Sequence, residues 1–285
     1  MIWPAINTLS EYNNFIILGP QMRSFFIFIL QILFIQNSIA QSLDAKTNSL
    51  GSCGLTQTTV WSNLENQAGL ASINKLVFGI GSRKQFLINE LNNHTVVCAI
   101  PIYGGVIGLN LNYFGFELYS ETKIGLAFGK KLSPSFNIGI QLDYLGTYIN
   151  ENLNNPHNFT FEIGIQKQLN RELVLGAHIF NPTTVKLNKE EKIPSLFKIG
   201  LRYNANQKVS VFSEGHLESN QNGSLHLGVE YKIIKEIALR TGLSTNPTKN
   251  SFGVGYTLSK IEIDVSINKH QDLGYSPQLS VSSGF

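Results

Sequence analysis

Large apolar side chains alternate with small or polar ones along many short stretches of this chain. The clearest stretch runs from Phe136 to Tyr144 and reads FNIGIQLDY, with a large apolar residue at every second position. Equally regular alternation marks residues 159–166, 225–232, 252–258 and 261–267. Successive side chains of a β-strand point to opposite faces, whereas a helix would place apolar residues three and four positions apart. The pattern therefore predicts strands that each have one apolar face.

Clusters of Asn, Gly, Pro and Ser separate these alternating stretches and predict turns between the strands. Examples lie at residues 150–156, 219–223 and 246–250, and such clusters are typical of hairpin loops. The segments between the turns fit about fourteen strands of roughly nine to twelve residues, an even number as in single-chain outer-membrane barrels. The first of them begins near Lys75.

The N-terminal region carries the features of an export signal. Arg23 precedes the apolar run SFFIFILQILFI at residues 24–35, and a small-x-small site follows at Ser38-Ile39-Ala40. These features describe a secretory signal peptide cleaved after Ala40. The alternative is a membrane anchor, but a spanning helix needs about 20 apolar residues. We predict a signal peptide at residues 22–40, preceded by a misassigned upstream extension at residues 1–21.

An exported chain of alternating strands is either a transmembrane barrel or a periplasmic β-sandwich. A closed barrel satisfies every backbone hydrogen-bonding group inside lipid, which an open sheet cannot do. The terminal Phe285 ends the last alternation, and a C-terminal aromatic residue is common in outer-membrane barrels. Tyrosines lie near the predicted strand ends, as in interfacial aromatic girdles: Tyr113, Tyr119, Tyr144, Tyr148, Tyr203, Tyr231 and Tyr256. We predict an all-β, antiparallel transmembrane barrel of about fourteen strands in the outer membrane, in contact with outer-membrane lipid.

Charged residues fall on the face of the strands opposite to the large apolar side chains. In a sandwich they would be solvated surface, whereas in a barrel they line the lumen and pair with one another or with a plug. The predicted lumen-facing charges are Asp143, Glu162, Lys198, Arg202, Glu230, Lys232, Arg240, Glu262 and Asp264.

Composition and motifs argue against nucleic-acid binding and against a cofactor. The formal net charge is +3 with no basic block, whereas a phosphate-binding surface needs clustered Lys and Arg. The glycine pairs at residues 79–81 and 253–255 lie within strands without a following helix, so they predict tight packing against a plug and not a phosphate loop. Cys53 and Cys98 could form one disulfide in an oxidising periplasm, although no spacing rule supports the pairing.

Candidate catalytic and metal-binding residues do not form a recognisable pattern. His216, Ser219 and Asn220 invite comparison with the catalytic residues of outer-membrane phospholipases, but their spacing does not match. The histidines at 178, 226 and 270 lie on different strands, which predicts hydrogen bonding in the lumen and not a metal site. We predict that the chain is not an enzyme.

A short segment before the first strand resembles a known family. Residues 49–72 lack alternation and contain, near their C-terminal end, the motif Asn66-Gln67-Ala68-Gly69-Leu70. This sequence resembles the asparagine-proline-alanine-glycine-leucine signature that closes the N-terminal hatch of the long-chain fatty-acid transporter (FadL-like) superfamily, in particular its Bacteroidetes branch, the PorV/PorQ-like proteins. Gln67 replaces the usual proline. Weaker matches to the branch lie at residues 176–182, 193–203, 239–255 and 261–285.

The resemblance implies a fourteen-stranded outer-membrane barrel at residues 74–285 with a hatch at residues 41–73 folded into the lumen. Members of the branch include components of type IX secretion, which implies secreted or surface proteins as partners. The superfamily also includes passive transporters of small hydrophobic molecules. Because the inward positions assigned above are Gly, Asn, Gln and charges, a continuous apolar path is not expected. The sequence therefore favours an interaction or secretion-associated component, with passive transport as the alternative.

Overall fold

The computed structural model describes residues 43–150, 155–186, 192–219 and 221–285. The predicted upstream extension and signal peptide lie outside these residues. Within them, fourteen strands account for most of the chain: β1 (Val77–Lys84), β2 (Asn92–Ile102), β3 (Gly105–Phe116), β4 (Tyr119–Ser133), β5 (Phe136–Ile149), β6 (His157–Gln168), β7 (Leu173–Phe180), β8 (Leu196–Asn204), β9 (Val209–Glu218), β10 (Ser224–Lys232), β11 (Ile237–Ser244), β12 (Lys249–Leu258), β13 (Ile261–His270) and β14 (Gly274–Gly284).

The strands form one closed antiparallel barrel, which confirms the predicted fold. Each strand pairs with the next along the chain, and β1 closes the barrel by pairing with β14, with Val77 opposite Gly284. Closure leaves no sheet edge, so every strand finds hydrogen-bond partners on both sides. The barrel is therefore compatible with immersion in lipid along its whole circumference.

The two ends of the barrel differ in the length of their connections. The end that carries the start of β1 and the end of β14 has short turns, such as residues 103–104 between β2 and β3. The opposite end has the longest connection, residues 181–195 between β7 and β8. Outer-membrane barrels have short periplasmic turns and longer extracellular loops. We therefore call the end with Val77 and Gly284 the periplasmic end and the other the extracellular end.

The outer surface is apolar because the strands alternate as the sequence predicts. On β5, Ile140 is 54% exposed and Leu142 is 55% exposed, while the intervening Gln141 is 2% exposed. The same contrast of exposed apolar and buried polar side chains recurs around the barrel. Among the described residues, none of the helices is long and apolar enough to cross a membrane.

Replacing Ile140 with Arg tests the lipid-facing surface. The charged side chain would point into hydrocarbon, so we expect the free energy of unfolding in lipid vesicles to fall by about 2–4 kcal/mol. Leu258 provides the depth control, because it is the last residue of β12, beyond the interfacial Tyr256. The Leu258→Arg variant should lose only about 0–1 kcal/mol, and equal losses at both positions would contradict this assignment.

Candidate functional site: the hatch inside the barrel

Residues 43–73, here called the hatch, form three short helical segments and lie inside the barrel. Helix α1 (Ala45–Ser49) begins after Asp44, whose carboxylate accepts the backbone N–H groups of Lys46 and Thr47, both at 3.1 Å. Helix α2 (Ser62–Glu65) and a 3₁₀ helix (Gln67–Ser72) follow. Helices this short are not stable alone in water. Contacts with the barrel wall must therefore hold the hatch in place.

Glycines on the inner wall allow the hatch backbone to approach closely. A Cβ atom at Gly139 would lie 2.2 Å from the carbonyl carbon of Gln67, and one at Gly242 would lie 2.1 Å from the backbone nitrogen of Gly51. Such contacts leave no space for any side chain. The glycines at which a Cβ would meet a backbone or side-chain atom of the hatch are Gly79, Gly81, Gly108, Gly129, Gly139, Gly164, Gly176, Gly228, Gly242 and Gly253. We call them the glycine ring. The strand glycines at 79, 81 and 253 pack closely against the hatch as predicted, whereas Gly255 meets the side chains of Arg240 and Asp264.

The motif Asn66-Gln67-Ala68-Gly69-Leu70 lies at the contact between the hatch and β5–β7. The Asn66 side-chain amide donates to the carbonyl oxygens of Leu55 (2.9 Å) and Ile165 (3.0 Å), so it joins two parts of the hatch to β6. The Gln67 amide donates to a carboxylate oxygen of Glu162 at 2.6 Å. A proline at this position could not make that bond. The departure from the family signature therefore adds a polar contact with the wall.

Glu162 is the centre of a buried polar network on β4–β7. It accepts from Lys123 and lies 2.9 Å from Nε2 of His178, and Lys123 also lies 3.5 Å from Asp143. Gln141 donates to Asp143 at 2.8 Å. Of these residues, Lys123 is absent from the predicted charges, although the alternation of Ile124, Leu126 and Phe128 places it on the inner face of β4.

A second network links α1 to β10–β13. Arg240 donates to Glu230 at 2.7 Å and also bonds Asp264. Lys46 of the hatch lies 3.5 Å from Glu262 and 4.0 Å from Glu230. Three predicted strand carboxylates therefore surround the predicted Arg240, and the hatch contributes an additional cation that the strand pattern could not reveal.

A third group of charges joins the middle of the hatch to β8–β10. Lys198 lies 3.2 Å from Glu65 of α2. Glu214 accepts the backbone N–H of Leu55 at 2.8 Å and lies 3.0 Å from His216. Glu214 and Glu65 are also absent from the predicted set, because β9 lacks clear alternation and Glu65 precedes the barrel.

Other predicted residues lie away from these networks. Arg202 is half-buried on β8, and its Nε has no hydrogen-bond partner among the described residues. Lys232 is the exposed last residue of β10, so it stands at the periplasmic rim on the same strand face as Glu230. Phe285 follows β14; its backbone N–H donates to Leu76 at 2.9 Å and its ring contacts Phe78 on the outer surface.

The candidate catalytic and metal-binding residues are held by ordinary structural contacts. Ser219 accepts the backbone N–H of Ser195 at 3.1 Å, while His216 contacts Glu214 and stacks on His226. Asn220 lies outside the described residues. Within the described ranges there is no group of three or more His, Cys, Asp or Glu side chains that could hold a metal ion. Both cysteines are buried and free, so the possible disulfide is not formed.

The hatch also has an apolar contact with the wall on β2–β4. Its Val60, Trp61 and Leu70 pack in one cluster with wall residues Val97, Ala99, Val106 and Ala127. All seven are buried. The inward positions on which the sequence argument against a continuous apolar path rests lie mostly after Phe136, where the alternation is clearest, and do not include this apolar sector of β2–β4.

Arg240 offers a direct test of the buried charge networks. Replacing it with Met would leave Asp264 and Glu230 buried without their guanidinium partner, with only Lys46 at 4.0 Å from Glu230, and breaking a buried pair in this way costs about 3–5 kcal/mol. We expect the temperature at which the folded band disappears on gels to fall sharply. The exposed Lys232 gives the matched control, and Lys232→Met should leave that temperature nearly unchanged. An equally stable Arg240→Met barrel would contradict the network.

Comparison with known proteins shows the fold of the chain. No protein-family model and no curated protein matches the sequence. The toluene transporter TbuX of Ralstonia pickettii has a similar structure, with 11% identity and a TM-score of 0.63 over 87% of this chain and 99% of that one. The toluene transporter TodX of Pseudomonas putida has 11% identity and a TM-score of 0.66, and the match covers 86% of this chain and 98% of TodX. A FadL homologue from Pseudomonas aeruginosa has 12% sequence identity and a TM-score of 0.61, and the match covers 86% of this chain and 98% of the homologue.

These matches span nearly the full length of the solved barrels, so the similarity extends to the whole architecture. At this level of identity it concerns the fold and not the solute. The chain therefore has the FadL-type barrel fold, a closed barrel of fourteen antiparallel strands shared with these transporters.

Proposed function

We propose that this chain is an outer-membrane channel for small hydrophobic molecules, with the hatch as its plug. The observation that carries the proposal is the contact between the hatch and the glycine ring, which extends over nine strands of the barrel wall. A wall with side chains at those positions could not accommodate the hatch. The barrel is therefore built around a plug, and the solved barrels of this fold include two toluene transporters.

The apolar cluster on β2–β4 supports a hydrophobic solute. Trp61 and Leu70 of the hatch face Val97 and Val106 of the wall. If the hatch moved, these side chains would be exposed within the lumen and would provide the apolar surface that such a solute needs. The charges lie mainly on β4–β13, and the apolar cluster lies on β2–β4, so the two kinds of surface meet at β4 and otherwise occupy different parts of the wall.

Passage requires the hatch to move, because its backbone already meets the wall at the glycine ring. The hatch is held by non-covalent contacts, and no backbone–backbone hydrogen bond of the described residues joins it to a strand, so it can shift without breaking the barrel. The strands keep their own pairing throughout the barrel. We propose that solutes pass when the hatch shifts and that the strands remain in place.

The secretion-associated role and membership in the PorV/PorQ-like branch remain predictions that rest on short sequence motifs. The structures named above are transporters and a FadL homologue, which supports the transport alternative more than an interaction with secreted proteins. The signal peptide, also a prediction, is consistent with the proposed location in the outer membrane.

Uptake by whole cells tests the proposed function. A Gram-negative host should express the chain from Met22, and the outer-membrane fraction should contain a folded band whose mobility shifts on boiling. We expect cells with this band to take up radiolabelled toluene several-fold faster than cells with an empty vector, but to take up sucrose no faster. A folded barrel that leaves toluene uptake at the vector level would refute the proposal.

A further inference from the structure

Two buried polar side chains on β1 and β14 lack the partners that such groups normally have. Arg83 and Gln278 are opposite each other in the strand register, and they are 5% and 3% exposed. Neither Nε of Arg83 nor either polar atom of the Gln278 amide has a hydrogen-bond partner within the described residues. Most buried polar side-chain atoms in proteins are hydrogen-bonded. These groups are therefore available to a ligand.

The positive charge of Arg83 is also not balanced. Its guanidinium donates from Nη2 to Gln85 at 3.4 Å, and it forms no ion pair with any carboxylate in the part of the chain that the structure describes. By contrast, the buried Arg240 and Lys198 each contact carboxylates. A buried charge without a partner is costly. Arg83 therefore needs an anion that the described residues do not supply.

A second cation strengthens the argument for an anion. Lys249, the first residue of β12, is half-buried and opposite His270 in the strand register, and the His270 ring contacts the ring of Phe86, three residues beyond Arg83. It too forms no ion pair among the described residues. The two cations lie toward the extracellular end of their strands, β1 ending at Lys84 and β12 beginning at Lys249. Two cations without a carboxylate partner, near an unpartnered amide, are the arrangement expected of an anion-binding site.

We propose that Arg83, Lys249 and Gln278 form a binding site for a small oxyanion, either a carboxylate or a phosphate. The planar guanidinium can donate two parallel hydrogen bonds to such a group, and Lys249 adds a mobile positive charge. The Gln278 amide can donate a further bond. This chemistry is shared by carboxylates and phosphates.

The site adjoins the hatch. Asn48 of α1 donates to Ser266 at 3.1 Å, and Ser266 is opposite Gln278 in the strand register. The backbone N–H of Phe86, in the connection after β1, donates to Ser276 at 2.9 Å, so this connection lies beside the site on the extracellular side. A bound oxyanion would therefore contact the wall next to α1. The site goes beyond the proposed channel function and can exist whether or not hydrophobic solutes pass.

Calorimetric titration of the purified full chain in detergent tests the site. Inorganic phosphate and acetate are the probes, and sodium chloride at matched ionic strength is the reference. We expect saturable binding of at least one probe. Saturation by phosphate alone would identify a phosphate site, by acetate alone a carboxylate site, and by both a general oxyanion site; each result supports the proposal. If neither probe gives saturable heat, the cluster is merely hydrated and the proposal is wrong.

Variants identify the residues that bind. Arg83→Gln and Lys249→Gln should each weaken binding by about tenfold or more, since charge-assisted hydrogen bonds are lost. Lys232→Gln removes one positive charge at the exposed periplasmic rim and should leave the affinity unchanged. A heat-dependent gel shift confirms that each variant folds. If Arg83→Gln does not fold, weaker binding by Lys249→Gln and Gln278→Leu tests the site instead. An equal loss in Lys232→Gln would show that only net charge matters and would overturn the site. Oxyanion binding is measured on the purified chain and toluene uptake on whole cells, so either measurement can fail while the other succeeds.

Discussion

Deletion of residues 44–72 is expected to turn the barrel into an open pore. These residues include all three helical segments of the hatch and its contacts with the glycine ring, apart from the contact of Leu43 with Gly81. Barrels of about 8 strands are filled by their own side chains, whereas those of about 16 strands leave a water-filled channel. With fourteen strands and many inward glycines, the emptied lumen should conduct ions. Single-channel recording in planar bilayers should show a steady conductance where the intact chain stays near the baseline.

The deletion also has a structural control. The strands do not depend on the hatch for their backbone hydrogen bonds, so the variant should still show a boiling-dependent gel shift. A folded deletion variant with the same conductance as the intact chain would mean that the hatch does not obstruct the lumen.

A Val side chain at Gly139 should have a comparable effect through a single substitution. Its Cβ would lie 2.2 Å from the carbonyl carbon of Gln67 and 2.3 Å from the backbone nitrogen of Ala68, and neither backbone atom can yield as a flexible side chain could. Overpacking of this kind costs about 1–3 kcal/mol or more. We expect the hatch to leave its position beside β5, with frequent channel openings and faster protease cleavage within residues 43–73.

Gly215 on β9 is the matched control for this substitution. A Cβ there would meet nothing within 4 Å, so Gly215→Val should resemble the unmodified chain in both measurements. Similar channel openings in the two variants would show that any added strand side chain disturbs the barrel and that the glycine ring has no special role.

The sequence predicts the barrel well because the information lies in local alternation. A period of two assigns each side chain of β5, for example, to one face, and the positions of Ile140 and Gln141 follow directly. Closure is also predictable, because an even set of long strands with apolar faces has no other way to satisfy its backbone inside lipid. The weakest predictions concern β2–β4 and β9, where glycines and mixed residues blur the pattern.

The inner surface is less predictable because its contacts join residues far apart in the chain. Gln67 and Glu162 are 95 positions apart, and Lys198 and Glu65 are 133 positions apart. Both contacts depend on how the hatch is threaded and on the register of every intervening strand. The sequence can place Glu162 and Lys198 on the inner face, but it cannot show which of the hatch residues they meet.

Toluene uptake through a barrel with a locked hatch is the most direct test of the account. Ala45 and Ser280 are suitable for an engineered disulfide, because the backbone nitrogen of Ala45 lies 3.1 Å from the Ser280 hydroxyl oxygen. The two cysteines should be introduced together, with Cys53 and Cys98 replaced by Ser so that no other thiols react. If passage requires the hatch to move, oxidation should reduce uptake to the vector level and a reducing agent should restore it. Undiminished uptake by a barrel whose disulfide is verified on a non-reducing gel would contradict the account.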